Sequence, residues 1–201
     1  MSGTAFDQLA PTYDAVWTDA PRGRAQRDRV WRDIDPLFRS GDHVLDLGCG
    51  TGEDAAHLES KGVHVHAIDA SAEMIRVANT RGVQAQLLRI EDLGQLDRQY
   101  DGAISNFGAL NCVADLPGVG LHLARLIRPG GWLAISIMPA VCWAEILRFQ
   151  FRRLRGTAQW RGMRVYYPFA RAVIRAFPGF TLVRRRSLAW GDHCFYLFIR
   201  K

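Results

Sequence analysis

VLDLGCGTGE, residues 44–53, joins an apolar strand pattern to a turn with a glycine at every second position. Glycine permits both a tight turn and the close backbone approach that a bound ligand requires. The dinucleotide-binding pattern G-x-G-x-x-G would need its third glycine at position 53, which is Glu53, so a pyrophosphate site is disfavoured. Asp46, at the end of the strand pattern, would repel a phosphate and attract a cation. The stretch therefore predicts a strand-to-helix turn that binds a positively charged ligand.

Strand and helix patterns alternate on both sides of this turn. Before it, apolar residues recur at helical spacing over residues 23–38. After it come strand patterns at 63–69, 83–88, 100–106 and 132–138, separated by helical patterns at 53–61, 72–81 and 116–127. Parallel strands require such long connections, with helices on both faces of the sheet. The order predicts an α/β fold with a doubly wound, mostly parallel sheet.

The C-terminal third departs from this alternation. Residues 140–178 are rich in Arg and aromatic residues, and their helical spacing in two pieces predicts an inserted helical cap. The last two strand patterns, at 180–190 and 193–201, are joined too tightly for a crossover helix. They predict an antiparallel hairpin at the edge of the sheet.

Composition bounds the class of protein. The chain has 201 residues, 48% hydrophobic and 23% charged, which is the composition of one globular domain and excludes a disordered chain. No apolar run approaches the ~18 residues of a membrane span, and the first residues lack the pattern of a signal peptide, so we expect a cytoplasmic location. The four cysteines are scattered, without a partner at metal-ligand spacing, so we expect no metal site.

Positive charge is concentrated near the C-terminus. The net charge is +6, yet the residues from Ile146 onward contain twelve Arg and one Lys against a single acid, Asp192. This asymmetry indicates either an anionic partner or an Arg-rich face in contact with solvent.

Asp69 is the second acid in a position to bind a ligand. It ends the next strand pattern, at the edge of the sheet where the glycine turn also lies. A carboxylate there can accept two hydrogen bonds from a ribose diol, whereas an isolated Asp after a strand also serves as a helix N-cap.

Several segments together resemble one known family. VLDLGCGTG followed by AIDAS-x-EMI, with FDQLAPTYD before them and YDGAISNFGALN and LARLIRPGGWLAISI after them, resembles class I S-adenosylmethionine-dependent methyltransferases. The resemblance is to their small-molecule group, which includes ubiquinone- and polyketide-type enzymes, and it covers most of residues 5–138. It implies a Rossmann-like, seven-stranded fold and S-adenosylmethionine as cofactor. The implied activity is methyl transfer to a small, partly apolar acceptor, by O-, C- or N-methylation.

The resemblance also implies how the cofactor is bound. Gly48 and Gly50 would line its methionine part, Asp46 would lie near its amino group and Asp69 would hold its ribose hydroxyls. Met74 would lie near the adenine, although a Met at this spacing is more often a core side chain. The full set of expected cofactor-binding residues is Tyr13, Asp46, Gly48, Cys49, Gly50, Gly52, Asp69, Ala70, Met74, Ile90, Glu91 and Asn106.

One position departs from the family pattern. Many relatives place an acid before the dipeptide that frames the adenine, and this chain has Arg89 there. Glu91 or Asp92 would then accept the hydrogen bond of the adenine amino group in place of that acid. Alternatively, both residues only begin a turn. Ile90 can still offer its backbone N–H.

We expect a single domain with four parts. They are an N-terminal helical lid (1–40), a cofactor-binding core (41–139), a cap insertion (140–178) and the C-terminal hairpin (179–201). APTYD, residues 10–14, resembles the family's lid, so we expect Tyr13 to close over the cofactor. Arginines of the cap would give the acceptor pocket a basic rim that suits an anionic group, or they form a solvated helix face. Those arginines are Arg148, Arg152, Arg153 and Arg155.

No catalytic residue is assigned from the sequence. A base matters only when the acceptor must lose a proton, because the sulfonium already activates the methyl group. Tyr13, His122 and His193 are the candidate bases, yet a lone His or Tyr is more often a packed polar residue.

Three other functions remain open at this point. A nucleic-acid methyltransferase would use the basic C-terminal part, with its interleaved Trp143, Trp160, Tyr166 and Tyr167. However, NFGALN lacks the Asn/Asp-Pro-Pro-aromatic pattern that holds a flipped base. The others are a non-catalytic domain that retains the cofactor pocket and, less favoured by the glycine spacing, a nicotinamide oxidoreductase.

Overall fold

The β-strands form one large sheet and one small sheet. A computed structural model describes residues 3–142, 154, 156–188 and 192–201. The strands are β1 (His43–Leu47), β2 (His64–Asp69), β3 (Ala85–Leu87), β4 (Tyr100–Ser105), β5 (Ile127–Ile137), β6 (Thr157–Trp160), β7 (Met163–Tyr166), β8 (Phe180–Ser187) and β9 (Cys194–Arg200). Seven of them pair in the order β3-β2-β1-β4-β5-β9-β8, and β6 pairs with β7.

The helices connect the strands of the large sheet and precede it. The α-helices are α1 (Gly3–Asp7), α2 (Ala10–Tyr13), α3 (Pro21–Ile34), α4 (Glu53–Glu59), α5 (Ala72–Thr80), α6 (Leu116–Leu126) and α7 (Ala170–Ala176). Asp14–Thr18 is π-helical, and Ile90–Gln95 and Ala109–Cys112 are 3-10 helices. Within these described ranges, no helix is long and apolar enough to cross a membrane.

The topology confirms the predicted sheet. Strands β1 to β5 pair in parallel, whereas β9 is antiparallel to both β5 and β8. Strand β1 lies between β2 and β4, so the chain winds outward in both directions from β1. In an open α/β sheet this reversal opens a crevice beyond the carboxyl ends of the strands, where ligands bind.

Helices cover both faces of the sheet because side chains alternate along each strand. On β1, Leu45 and Leu47 pack in the apolar cluster that contains α6 and α7, whereas Val44 packs with α3 and α4. Asp46 alternates with the two leucines, and its side chain therefore faces α3 and α4. This orientation matters for the site described below.

Local sequence explains where the two helices after β2 and β4 begin. Ser71 caps α5, and its Oγ accepts the N–H of Met74 at 3.1 Å. Asp115 caps α6, and its Oδ1 accepts the N–H of Gly118 at 3.0 Å. Such caps satisfy N–H groups that the first turn of a helix leaves without partners. The helices predicted at 53–61, 72–81 and 116–127 accordingly begin at the predicted residues and end within two residues of the prediction.

The insertion after β5 contains a hairpin that its helical spacing did not predict. Strands β6 and β7 are joined by Arg161 and Gly162, whose φ angles are 48° and 78°. Two consecutive positive φ angles are typical of a tight hairpin turn, which is usually indicated by Asn-Gly or Asp-Gly. The Arg-Gly pair lacks that indication, so the hairpin was missed.

The described helix of the insertion covers the sheet, and part of the insertion lies outside the described ranges. Helix α7 falls in the predicted cap segment, but its buried Val173 and Ala176 pack with α6 in the core cluster. Residues 143–153 and 155 are not among the described residues. The predicted basic rim of Arg148, Arg152, Arg153 and Arg155 therefore lies outside the described residues.

Candidate functional site

A cavity of about 290 Å³ lies at the carboxyl edge of the sheet, beside the glycine turn. Nine of the twelve residues expected to bind the cofactor line it. These are Tyr13, Gly48, Gly50, Asp69, Ala70, Met74, Ile90, Glu91 and Asn106. They come from six separate segments, which the fold brings to one place.

The glycine turn is fixed by hydrogen bonds to the end of β2. The N–H groups of Gly48 and Cys49 both donate to the carbonyl of Ile68 at 2.9 Å. The N–H of Gly50 donates to Oδ2 of Asp69, also at 2.9 Å. Gly50 has a φ of 55°, and a Cβ built on it would meet no atom within 4 Å. The backbone at Gly50 therefore borders open cavity space.

Asp69 is held by the same turn. Its Oδ2 accepts the N–H of Gly50, and its Oδ1 accepts the N–H of Ser71 at 2.8 Å. Burial raises the pKa of Asp69 although these hydrogen bonds lower it. Each carboxylate oxygen has a second acceptor site. The side chain is thus orientated by the protein and keeps the capacity to bind a diol.

The cavity wall beyond Asp69 is formed by Met74, Ile90 and Glu91. Met74 is 1% exposed, so its core role and its place in the cavity wall are compatible. Glu91 forms an ion pair with Arg89, the residue that departs from the family pattern, at 3.1 Å. Of the two acids that the sequence left open, Glu91 lines the cavity, and Asp92 is not among the lining residues.

Three of the expected residues do not line the cavity. Gly52 is the N-cap of α4 and has a φ of 80°. A Cβ on it would lie 2.9 Å from the Cβ of Ala78, so the glycine permits α5 to pack closely against the start of α4. Cys49 packs against the apolar cluster of α4, β2 and α5, and burial raises the pKa of its thiol. Asp46 faces α3 and α4, as its position on β1 requires.

Among the described residues, the side chains of Asp46 and Asn106 near the turn each have one buried oxygen atom without a hydrogen-bond partner. These atoms are Oδ2 of Asp46 and Oδ1 of Asn106. Burial, and then the neighbouring Asp54, raise the pKa of Asp46 well above its usual range. Buried acceptors without partners are costly, and of these two residues Asn106 lines the cavity, so an ammonium group there would satisfy its Oδ1. This end of the site therefore fits the amino group of a methionine moiety.

The sequence predicted an apolar acceptor pocket at the cap segment, but not the set of residues that forms the other half of the cavity. Its residues come from five segments: Phe6 and Trp17, then Phe107, Gly108, Ala109, Cys112 and Val113, then Met138, then Trp160, Met163, Val165 and Tyr167, and finally His193. Most are apolar or aromatic, and none of the described lining residues is Lys or Arg. Only Trp160, Tyr167 and His193 had been singled out in the sequence, because no single segment carries the pattern of the pocket.

Two of the three candidate bases lie at the cavity. Tyr13 and His193 line the cavity, whereas His122 lies on α6 beside Gly94 and is not a lining residue. Burial raises the pKa of Tyr13, which disfavours its ionised form. His193 contacts the ring of Phe107 edge-on, with 5.8 Å between ring centroids.

The N-terminal segment lies beside the glycine turn and is held by hydrogen bonds and an ion pair to the turn and to α5 with its cap. Oδ1 of Asp14 accepts the hydroxyl of Thr51 in the glycine turn at 2.6 Å, and Oδ2 pairs with Arg81. Oδ1 of Asp7 accepts the hydroxyl of Ser71 at 2.5 Å. Residues before β1 therefore complete the wall of the site.

Comparisons with known proteins agree with this geometry. The sequence model of the family described as "Methyltransferase domain" matches residues 22–190. A demethylmenaquinone methyltransferase of Corynebacterium urealyticum is 33% identical over 140 residues, which are 66% of this chain and 57% of that protein. The chain thus spans little more than half the length of that relative. A demethylmenaquinone methyltransferase of Leptospira interrogans is 28% identical over 93% of this chain and 87% of that protein.

A solved structure shows the same fold. It is the 1,6-didemethyltoxoflavin-N1-methyltransferase of Burkholderia thailandensis, with its acceptor and S-adenosylhomocysteine bound. The TM-score is 0.68 at 21% identity, over 100% of this chain and 88% of that one. Since the family model covers well over half of the residues, the chain belongs to the methyltransferase domain family.

Proposed function

We propose that this chain transfers the methyl group of S-adenosylmethionine to a small, planar and largely apolar acceptor. The observation that carries the proposal is one cavity with two unlike halves, a polar half at the glycine turn and Asp69, and an aromatic half at the β6–β7 hairpin. The methyl group on the sulfonium of the cofactor is already activated. The protein therefore contributes mainly by positioning the two molecules and excluding water.

The polar half suits each part of the cofactor. Asp69 would accept the ribose hydroxyls, and Asn106 would accept the ammonium group. The adenine would lie against Met74, with the N–H of Ile90 and the carboxylate of Glu91 within its reach. The proposal is supported by the fixed orientation of Asp69 and by the unbonded oxygen of Asn106.

The aromatic half supports a planar, uncharged acceptor ring. Trp160, Met163 and Val165 of the hairpin face Phe6 of α1 across a packed apolar cluster. Rings bury much apolar area in such pockets. Relatives named as quinone methyltransferases support a quinone-like ring. An anionic group on the acceptor stays a separate prediction, because it depends on Arg152 and its neighbours.

The described arginines weaken the nucleic-acid alternative. Arg184 and Arg186 form ion pairs with the buried Asp33 of α3. Arg200 donates to the carbonyls of Ala124 and Gly179 at 2.9 and 2.8 Å. These side chains attach β8 and β9 to the rest of the fold. Part of the C-terminal positive charge thus has a structural use that needs no anionic partner.

Binding of the demethylated product tests the cofactor half directly. Calorimetry with S-adenosylhomocysteine is expected to show one site per chain. Asp69→Ala is expected to lose about 1.5–3 kcal/mol of binding free energy, the scale of hydrogen bonds to a charged group. Asp69→Asn is the matched control, since an amide oxygen can still accept one backbone N–H, and it should lose less. Equal affinity of wild type and Asp69→Ala would remove Asp69 from the site.

Turnover is tested with a cell extract and methyl-labelled S-adenosylmethionine. The labelled product identifies the acceptor and the methylated atom together. Label transfer into RNA or DNA would favour the nucleic-acid alternative. Cofactor binding without any label transfer would favour a non-catalytic domain.

Residues 1–40 are expected to behave as a lid over the cofactor. Trp17 is 53% exposed, and Tyr13 lines the cavity, so chymotrypsin can report on this segment. We expect cleavage after these two residues to slow when S-adenosylhomocysteine is added, because the segment must open for the cofactor to enter. Equal cleavage rates with and without ligand would contradict a lid, and resistance in both states would indicate a permanently packed helix.

A further inference from the structure

We propose that a buried ion pair, Arg27 with Asp54, orientates Asn106 and Phe107 and thereby sets the affinity for the amino-acid end of the cofactor. The proposal rests on the proposed function, because it assigns that end of the site to a methionine moiety. Neither Arg27 nor Asp54 is among the residues that line the cavity. Both would therefore be positioning residues that act through their neighbours.

The carboxylate of Asp54 is the centre of a buried polar network. Arg27 on α3 and Asp54 on α4 are 7% and 6% exposed, and Nη1 of Arg27 lies 2.8 Å from Oδ1 of Asp54. Nε1 of Trp31 donates to the same oxygen at 2.7 Å. The second oxygen, Oδ2, accepts Nδ2 of Asn106 at 3.1 Å. A buried ion pair adds little net stability over apolar packing, but it fixes the geometry of its partners.

This network determines which way the amide of Asn106 points. A carboxylate only accepts hydrogen bonds, so it selects the NH2 group of the amide and turns Oδ1 away from itself. Oδ1 is then the buried atom of Asn106 without a partner, on a residue that lines the cavity. An ammonium group of the cofactor supplies the missing donor. Without the negative charge of Asp54, the amide would lose its preferred orientation.

The same arginine also holds the next residue. The guanidinium carbon of Arg27 lies 4.6 Å from the ring centroid of Phe107. Phe107 has a φ of 55°, a conformation that only surrounding contacts maintain in a residue with a Cβ. Its N–H donates to Oγ of Ser136 at 2.8 Å. One ion pair thus supports both the acceptor for the ammonium and an aromatic wall of the cavity.

A pair of ligands separates positioning from general stability. S-Adenosylhomocysteine carries the amino-acid end, whereas 5′-methylthioadenosine has the same adenosine and sulfur without it. Asp54→Asn is expected to weaken binding of S-adenosylhomocysteine about 10-fold, the scale of one hydrogen bond to a charged group. Binding of 5′-methylthioadenosine should change less than about 2-fold, because its contacts lie at the other end of the site.

Four further variants sharpen the test. Trp31→Phe removes a hydrogen bond to Asp54 without touching Asn106, and both ligands should bind as in wild type. The double variant, Asp54→Asn with Asn106→Ala, should lose no more affinity for S-adenosylhomocysteine than Asn106→Ala alone. The reason is that Asp54 is proposed to act on the ligand through Asn106. Should Asp54→Asn fail to fold, Arg27→Lys keeps the charge but not the planar group over Phe107. It should shift the ratio of the two affinities in the same direction.

The outcomes are distinguishable. If wild type binds neither ligand, the proposed function fails and this proposal fails with it. If wild type binds both ligands and Asp54→Asn weakens both equally, the ion pair is structural and the positioning role is wrong. Additive losses in the double variant would also overturn it.

Discussion

Gly50→Ala is expected to weaken binding of S-adenosylhomocysteine about 100-fold, the upper range of overpacking by one methyl group. The added Cβ would meet no protein atom within 4 Å, so the methyl group would stand in the cavity itself. That space is where the methionine part of the cofactor is proposed to lie. Calorimetry measures the affinity, and thermal unfolding of the ligand-free protein measures the cost to the fold.

Gly82→Ala is the matched control for the glycine substitution. Gly82 has a φ of 90°, and a Cβ on it would likewise meet nothing within 4 Å, yet it is not a lining residue of the cavity. Both variants carry the strain of a positive φ, on the order of 1 kcal/mol. They should lose similar stability, and only Gly50→Ala should lose affinity. Equal affinities in the two variants would exclude the cofactor from the glycine turn.

His193→Gln is expected to lower kcat about 100-fold for an acceptor that loses a proton, the lower range for a general base. His193 stands just before β9, which is antiparallel to β5, so the start of β9 lies at the edge where the parallel strands end. This direction of the strand brings the imidazole into the cavity from the far end of the sequence. The rate is measured as label transfer to the acceptor found in the extract.

His122→Gln is the control for that substitution, because His122 is not among the cavity-lining residues. Affinity for S-adenosylhomocysteine should be unchanged in both variants. A His193→Gln variant with the rate of wild type would show that the acceptor proton leaves without this imidazole, or that the acceptor has none to lose.

The residues proposed to bind the cofactor could be named from the sequence because their determinants are local. Alternating strand and helix patterns, the glycine turn after β1 and Asp69 after β2 are each written in short stretches of sequence. Backbone conformation responds to such stretches directly, through glycine at positive φ, through capping residues and through the period of apolar side chains. The fold class and the order of the elements followed from these stretches, and nine of the residues around the cavity followed from the family resemblance that the stretches carry.

The β6–β7 hairpin shows where local patterns mislead. Its Arg161-Gly162 turn lacks the usual hairpin sequence, and its apolar residues also fit helical spacing. What the hairpin buries is decided by partners distant in sequence. Nδ2 of Asn111 donates to the carbonyls of Met138 and Tyr166 at 2.9 and 2.6 Å, and so attaches the hairpin to the end of β5.

By itself, then, the sequence determined the doubly wound sheet, the position of the cofactor turn and the acids that follow the strands. Only the tertiary structure decided that Asp46 faces α3 and α4, that Glu91 rather than Asp92 reaches the cavity, and which side chains form its aromatic half. The contacts among Arg27, Asp54 and Asn106 could not be predicted from the sequence either, since these residues are separated by 27 and 52 positions. Contacts of this kind depend on how whole elements pack against one another. The entropy lost in closing such long loops is offset only by the contacts of the complete fold.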